Sequence, residues 1–290
     1  SLTNITGDGT LGISIGSNTA RNSTKLAGGA GPSSTVAVDN TQPSVAITSN
    51  LSGNTFNNSS FIATFTFSED VSDFTIGDVT AVNANISNFS SVSSAVYTAT
   101  VTPIAEGSVT LDVLAGVASD NANNVNVGAT QFQATYDVTK PTVSITSTIA
   151  GAATNGAFTV TFTFSEDVAG FTLSDVSAGN ASVSNFSASS ASVYTVTITP
   201  TSNGAVTVDV PADIAQDSAS NDSVAATQFI TTYDTSAPTV TITSNVTGDA
   251  NSAFTATFTF NENVTGFTLA DISSSNAIVT NFSANSASVY

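Results

Sequence analysis

The chain has 290 residues, no Cys, His, Met or Trp, and 21 carboxylates against three bases, Arg21, Lys25 and Lys140, for a net charge of −18. That balance repels nucleic acid and anionic membrane and attracts cations. Losing His and Cys removes the commonest general base and the thiol nucleophiles, so enzyme activity is not expected, and no apolar run approaches the roughly 20 residues of a membrane span.

Solubility comes from Ser, Thr and Asn, and the abundance of Thr between Gly- and Asn-rich turns argues against helix throughout. Pro43, Pro141 and Pro238 lie 98 and 97 residues apart, and Tyr97, Tyr194 and Tyr290 lie 97 and 96 apart. A period near 97 residues suits a seven-stranded sandwich rather than a short solenoid turn. Residues 1–39 read as the second half of such a repeat, because Leu11, Ile13 and Ile15 align with Val109, Leu111 and Val113. The chain also closes inside a repeat. The expected organisation is a C-terminal half over 1–39, whole repeats over 40–137 and 138–234, and an N-terminal half over 235–290.

The absence of Met marks a processed product or a window of something longer. Two accounts of the ends follow. In the favoured one the chain continues on both sides. In the other the C-terminal half of one molecule completes the N-terminal half of the next, an open head-to-tail assembly. Both make the partner a neighbouring repeat or a second copy.

Within 43–137 the first strand covers 43–50, with Val45 and Ile47 inward, and 51–58 is a Gly- and Asn-rich turn. Phe61, Ala63, Phe65 and Phe67 then alternate with Ile62, Thr64 and Thr66, which puts the aromatics on one sheet face. Further strands are expected over 73–78, over 84–90 with a tight turn at 91–94, through Tyr97 to Pro103, through Val109, Leu111 and Val113, and through Phe132, Ala134 and Tyr136. The 21-residue block 59–79 recurs at 156–176 and 252–272. Seven short strands at this spacing predict an all-β chain of tandem Ig-like sandwiches. The linkers, such as Asp137-Val138-Thr139-Lys140-Pro141, are about three residues long and end in Pro, which makes a stiff rod.

Phe-Ser-Glu-Asp-Val followed by Phe-Thr and Asp, with Asp-x-Thr-x-Pro linkers, resembles the bacterial Ig-like repeats of large surface proteins and adhesins. The resemblance covers essentially the whole chain and implies secretion, a cell-surface location and tandem arrays. It further implies a role as stalk or filament, or alternatively as an adhesive module for carbohydrate, ice or a cell-surface partner. The sequence departs from the family pattern in two places. Asn261-Glu262-Asn263 replaces Ser-Glu-Asp, and the family's Asp-x-x-Gly-Asn turn appears without its glycine as residues 120–124 and 217–221.

In an Ig-like sandwich the loop after the phenylalanine strand and the loop between the last two strands sit where the preceding linker enters. That brings Asp39 near Glu69, Asp70 and Asp120, and Asp137 near Glu166, Asp167 and Asp217. Asp234 and Glu262 are the counterparts in the last copy, with one carboxylate fewer. Clustered carboxylates suit calcium, a hard ion with 6–8 oxygen ligands. Calcium at the inter-domain junctions is therefore the candidate cofactor. The plainer reading is solvated turn acids bonded to local backbone. A paired-carboxylate glycosidase from Glu69 and Asp70 fails because adjacent residues on a strand end face opposite ways. Phe89, Phe186 and Phe282 read as core rather than sugar platforms, since they recur in phase with other core positions.

Overall fold

The computed structural model describes residues 2–25, 28–149 and 152–290. β1 (Gly9–Leu11) and β2 (Val36–Val38) pair antiparallel ahead of the first complete repeat. That repeat contains β3 (Val45–Ser49), β4 (Thr55–Phe56), β5 (Phe61–Phe67), β6 (Val79–Val82), β7 (Ala84–Ser93), β8 (Val96–Pro103), β9 (Gly107–Val113) and β10 (Phe132–Tyr136). They form two four-stranded sheets, ordered β3-β5-β8-β7 and β4-β10-β9-β6. The second repeat contains β11 (Val143–Thr146), β12 (Ala153–Thr154), β13 (Phe158–Phe164), β14 (Ser177–Gly179), β15 (Ala181–Ala188), β16 (Val193–Pro200), β17 (Gly204–Asp209) and β18 (Phe229–Tyr233). Its sheets are ordered β11-β13-β16-β15 and β12-β18-β17-β14, the same topology. β19 (Val240–Ser244) and β20 (Ala256–Phe260) open the last copy as an antiparallel pair.

The phenylalanine ladder is the inner face of the first sheet. Along β5 the exposure alternates strictly, with Phe61, Ala63, Phe65 and Phe67 all at or below 3%. Fully burying each such ring stabilises the fold by roughly 1.5–3 kcal/mol. Phe65 shares one buried core with Val101, Val109, Leu111 and Val113, none of which is exposed. Phe74 is the hub of the aromatic cluster, with ring centroids 5.7, 5.0, 5.6 and 5.1 Å from Phe65, Phe67, Phe89 and Tyr97. Phe89, Phe186 and Phe282 are half-buried and stack on Tyr97, Tyr194 and Tyr290, and the first two pack against the cores of the complete repeats.

Three details differ from the strand-by-strand expectation. The segment 73–78 is not a strand. It bends at Asp73, whose φ is +66°, and ends in a single 3-10 turn over Ile76–Asp78, with the strand beginning only at Val79. The cause is local. The Thr75 amide and hydroxyl both donate to the Asp78 carboxylate at 2.8 Å, so the side chain competes with strand pairing. Thr172 with Asp175 and Thr268 with Asp271 repeat the arrangement. Second, the 51–58 turn contains β4, which crosses to the other sheet and runs parallel to β10. Third, β7 runs on to Ser93, with register shifts between Ser87 and Ser90 and between Ser91 and Ser93, so the tight turn into β8 falls at Ser94 and Ala95 rather than over 91–94.

Candidate functional site

The linker that leads into the first complete repeat is held from both sides. On the upstream side Asp8, which precedes Gly9 and β1, accepts from the Asn40 amide at 2.6 Å and from the Thr41 hydroxyl. On the downstream side the Asn124 side chain donates to the Asp39 carbonyl at 3.0 Å, and Ser68 Oγ accepts from the Ser44 amide at 3.0 Å. The second junction repeats the pattern residue for residue. Glu106 accepts from the Val138 amide and the Thr139 hydroxyl, both at 2.9 Å. Asn221 donates to the Asp137 carbonyl at 3.0 Å, and its own amide oxygen accepts from Asn57 of the preceding repeat at 3.1 Å. At the third, Asn203 takes the clamp position and accepts from the Thr235 amide and hydroxyl.

Each linker Asp is fixed by the backbone two residues on. Asp39, Asp137 and Asp234 accept from the amides of Thr41, Thr139 and Ser236 at 3.0, 2.9 and 2.8 Å. This Asx turn occupies one carboxylate oxygen and orients the other. The same logic builds the loop between the last two strands. Asp120 Oδ1 accepts from the amides of Ala122 and Asn124 at 2.7 and 2.8 Å, and Oδ2 accepts from Asn124 Nδ2 at 2.8 Å. Asp217 does the same with Ala219 and Asn221.

These loops bring three carboxylates together at each of two junctions. Oxygens of Asp39, Glu69 and Asp120 all lie within 4.8 Å of one another, as do those of Asp137, Glu166 and Asp217. Glu69 and Glu166 are half-buried, and Asp120 and Asp217 are buried. The Glu69 carboxyl is pushed up from its ordinary value by burial first, then by the charges of Asp39, Asp120 and Asp8. Glu166 is pushed up by burial and by Asp217 and Asp137. Burial alone would raise Asp120, but its hydrogen bonds from Asn124, Ala122 and Asn123 together hold it below the usual range. Among the described residues the one ion pair is Lys140 with Asp213, at 3.9 Å, so neither cluster contains a cation of its own.

Four of the acids singled out from sequence stand outside these groups. Asp70 and Asp167 follow the glutamates and point the other way. Each is exposed, and its charge adds to burial in raising the phenols of Tyr97 and Tyr194. Asp234 is taken up by Ser236 and Asn203. Glu262 falls in no group of three carboxylates among the described residues.

The donor set fits a hard divalent cation: it is all oxygen, carries three carboxylates, and includes one glutamate whose charge is held at a penalty by its neighbours. Asp120 retains capacity for an ion, since three hydrogen bonds leave one of its roughly four lone-pair sites free. Sequence reasoning did not find the clamps Asp8, Glu106 and Asn203, the half-buried Asn124 or the buried Asn221. The signal was present. A polar residue directly before Gly recurs at 8, 106 and 203, and Asn follows Asp by four residues in both loops.

A family model described as a bacterial Ig-like domain matches residues 39–136, 137–232 and 234–290. Among solved structures, InvD of Yersinia pseudotuberculosis is 16% identical, with 78% of this chain and 70% of that chain covered and a TM-score of 0.33. Invasin, titled a bacterial integrin-binding protein, is 13% identical over 82% of this chain and 51% of its own, with a TM-score of 0.37. The adhesin InvE of Yersinia pseudotuberculosis is 14% identical over 66% and 58%, with a TM-score of 0.23. The chain thus spans between 51% and 70% of these proteins as solved, and at these scores the likeness carries no argument about function. A comparison with curated proteins finds no match. Among the described residues no helix is long and apolar enough to cross a membrane.

Proposed function

The chain belongs to the bacterial Ig-like domain family, and from that premise we propose that it is a stalk or filament segment of a secreted bacterial surface protein. Its work is reach and resistance to bending at the cell surface. The observation that supports this reading is the doubly held linker. A free linker of three residues still bends. A linker whose Val138 amide and Thr139 hydroxyl are taken by Glu106 upstream and whose Asp137 carbonyl is taken by Asn221 downstream has little conformational freedom left to lose.

Calcium at the junctions is part of the same proposal. Asp39, Glu69 and Asp120 would hold the first ion, and Asp137, Glu166 and Asp217 the second. Such an ion supplies the positive charge that these carboxylates lack. The protein's part is to hold linker, loop and loop at one point, so that separating any of them exposes unpaired acid. No reaction is assigned to these carboxylates.

Thermal unfolding in chelator and in millimolar calcium tests the ion. The midpoint is expected to rise, by an amount equivalent to about 2.7 kcal/mol when free calcium stands at 100 times its dissociation constant. Asp120→Asn is expected to remove the response of the first junction alone. An unchanged midpoint would end the calcium reading. Solution scattering tests the stalk: a rod-like profile is expected, and the profile of freely jointed beads would end that reading whatever calcium does.

A further inference from the structure

Charge is absent from the strands of one sheet in each complete repeat. The eight strands of the sheets β3-β5-β8-β7 and β11-β13-β16-β15 contain no Asp, Glu, Lys or Arg. The opposite sheets do carry acid, in Asp112 on β9 and Asp209 on β17. The outer side of the charge-free sheets carries rows of hydroxyls, beside the exposed Ile62 of β5. In the first repeat Thr48, Thr64, Thr98 and Ser90 stand opposite one another across all four strands. Thr161 opposite Thr195 begins the corresponding row of the second repeat.

We propose that this hydroxyl face is where two copies of the chain pack side by side. Three arguments favour a second copy as the occupant. First, a hydroxyl both donates and accepts, so a Thr/Ser face is chemically complementary to itself and an isologous contact needs no second kind of surface. Second, the net charge of −18 makes the other surfaces of two copies repel, and this is the face on which close approach costs least. Third, the face lacks what a dissimilar partner is usually held by: it presents no Arg, Trp or Tyr, and its inner aromatics belong to the core.

Area sets the strength. Four strands about 4.8 Å apart, each about six residues long at about 3.4 Å, make a face of roughly 400 Å² per repeat. One pair of repeats then buries roughly 800 Å² in total, below the 1,200–2,000 Å² of a stable complex, whereas two pairs reach it. Association is therefore weak for one repeat and becomes appreciable when repeats act in series.

Sedimentation of the 290-residue chain in chelator, from low salt to about 1 M salt, tests this, since the screening length falls to about 3 Å at the upper end. Monomer is expected at low salt, with reversible association strengthening at least tenfold as repulsion is screened. Ser87→Asp with Ser182→Asp places one exposed charge on each face and is expected to abolish association without moving the unfolding midpoint. Thr64→Asp with Thr161→Asp, at half-buried positions nearer the centre, is the stronger second variant. Gln133→Glu on the opposite sheet is expected to leave association intact. Monomer at all salt concentrations would overturn the proposal. So would association that survives the face charges, which would place the contact elsewhere, for instance on the exposed Val240 and Ile242 of β19.

Discussion

The two complete repeats share a topology, yet they build the loop between their last two strands from different residues. In the first repeat Asn126, 1% exposed, fills the loop with four hydrogen bonds. Its Oδ1 accepts from the amides of Val117 and Ala118, both at 2.9 Å, and its Nδ2 donates to the carbonyls of Leu114 and Val127. The second repeat has Ser223 there, fully buried, with an Oγ that finds no partner. The left-handed positions differ too. The first repeat uses Gly116 and Asn123, at φ +80° and +67°, where the second uses Asp213 and Ser220, at +63° and +70°. Glycine takes this conformation freely and Asn tolerates it, whereas Ser is strained. The fold thus demands the backbone path, and the sequence is free to meet the demand well or badly.

The largest expected effect separates the two repeats at that buried position. Asn126→Ala strands the buried Ala118 amide and the part-buried Val117 amide, and at about 1–3 kcal/mol for a buried amide the first repeat is expected to lose about 3 kcal/mol. Ser223→Ala removes a hydroxyl with nothing to bond and is expected to be neutral or slightly stabilising. Denaturant unfolding of each variant measures both. Equal losses from the two would remove the contrast.

A smaller effect of opposite sign is expected at the strained turn. Ser220→Gly relieves a left-handed serine, and about 1 kcal/mol of stabilisation is expected from the αL penalty of a non-glycine residue, less the entropy that glycine adds to the unfolded chain. Asn123→Gly is expected to change stability by only a few tenths, because Asn is already suited to the site. If Asn123→Gly gained as much as Ser220→Gly, the strain argument would fail.

The same contrast shows what a sequence reading reaches. The phenylalanine alternation and the repeat register were legible because period two and spacing near 97 are collective signals, carried by many residues at once. They sufficed to place Asp39, Glu69 and Asp120 at one end of the sandwich. Which of Glu69 and Asp70 faces the linker was not legible, since one step along a strand end reverses the side chain. β4 was hidden because two residues carry no period, and the 3-10 turn because Thr75 and Asp78 act through a single local hydrogen-bonded pair. The missing family glycine turned out to be a conformation rather than a residue: Asn123 and Ser220 adopt the left-handed geometry that glycine would.

The smallest expected effect compares the two acidic junctions. Glu69 is raised from its ordinary value near 4.5 by burial and by three neighbouring charges, Asp39, Asp120 and Asp8, whereas Glu166 has two, Asp217 and Asp137. A carboxyl whose folded-state value is raised binds its proton more tightly in the folded protein, so ionising it costs stability. In chelator, then, stability is expected to rise as pH falls from neutral through the raised Glu69 value, and to complete that gain below about 4.5. Asp120 works the other way. Its lowered value contributes stability that is present above the ordinary 3.8 and is lost only as pH falls further. The optimum therefore lies on the acid side of neutrality. Glu69→Gln and Glu166→Gln are each expected to flatten the rise, since each removes a carboxyl that burial and neighbouring charges push up. Saturating calcium is expected to abolish the rise in the unmutated chain, because an ion takes over the countercharge that the proton otherwise provides. Midpoints that fell steadily from pH 7 to 5 in chelator would show that the three carboxylates do not repel one another as their spacing requires.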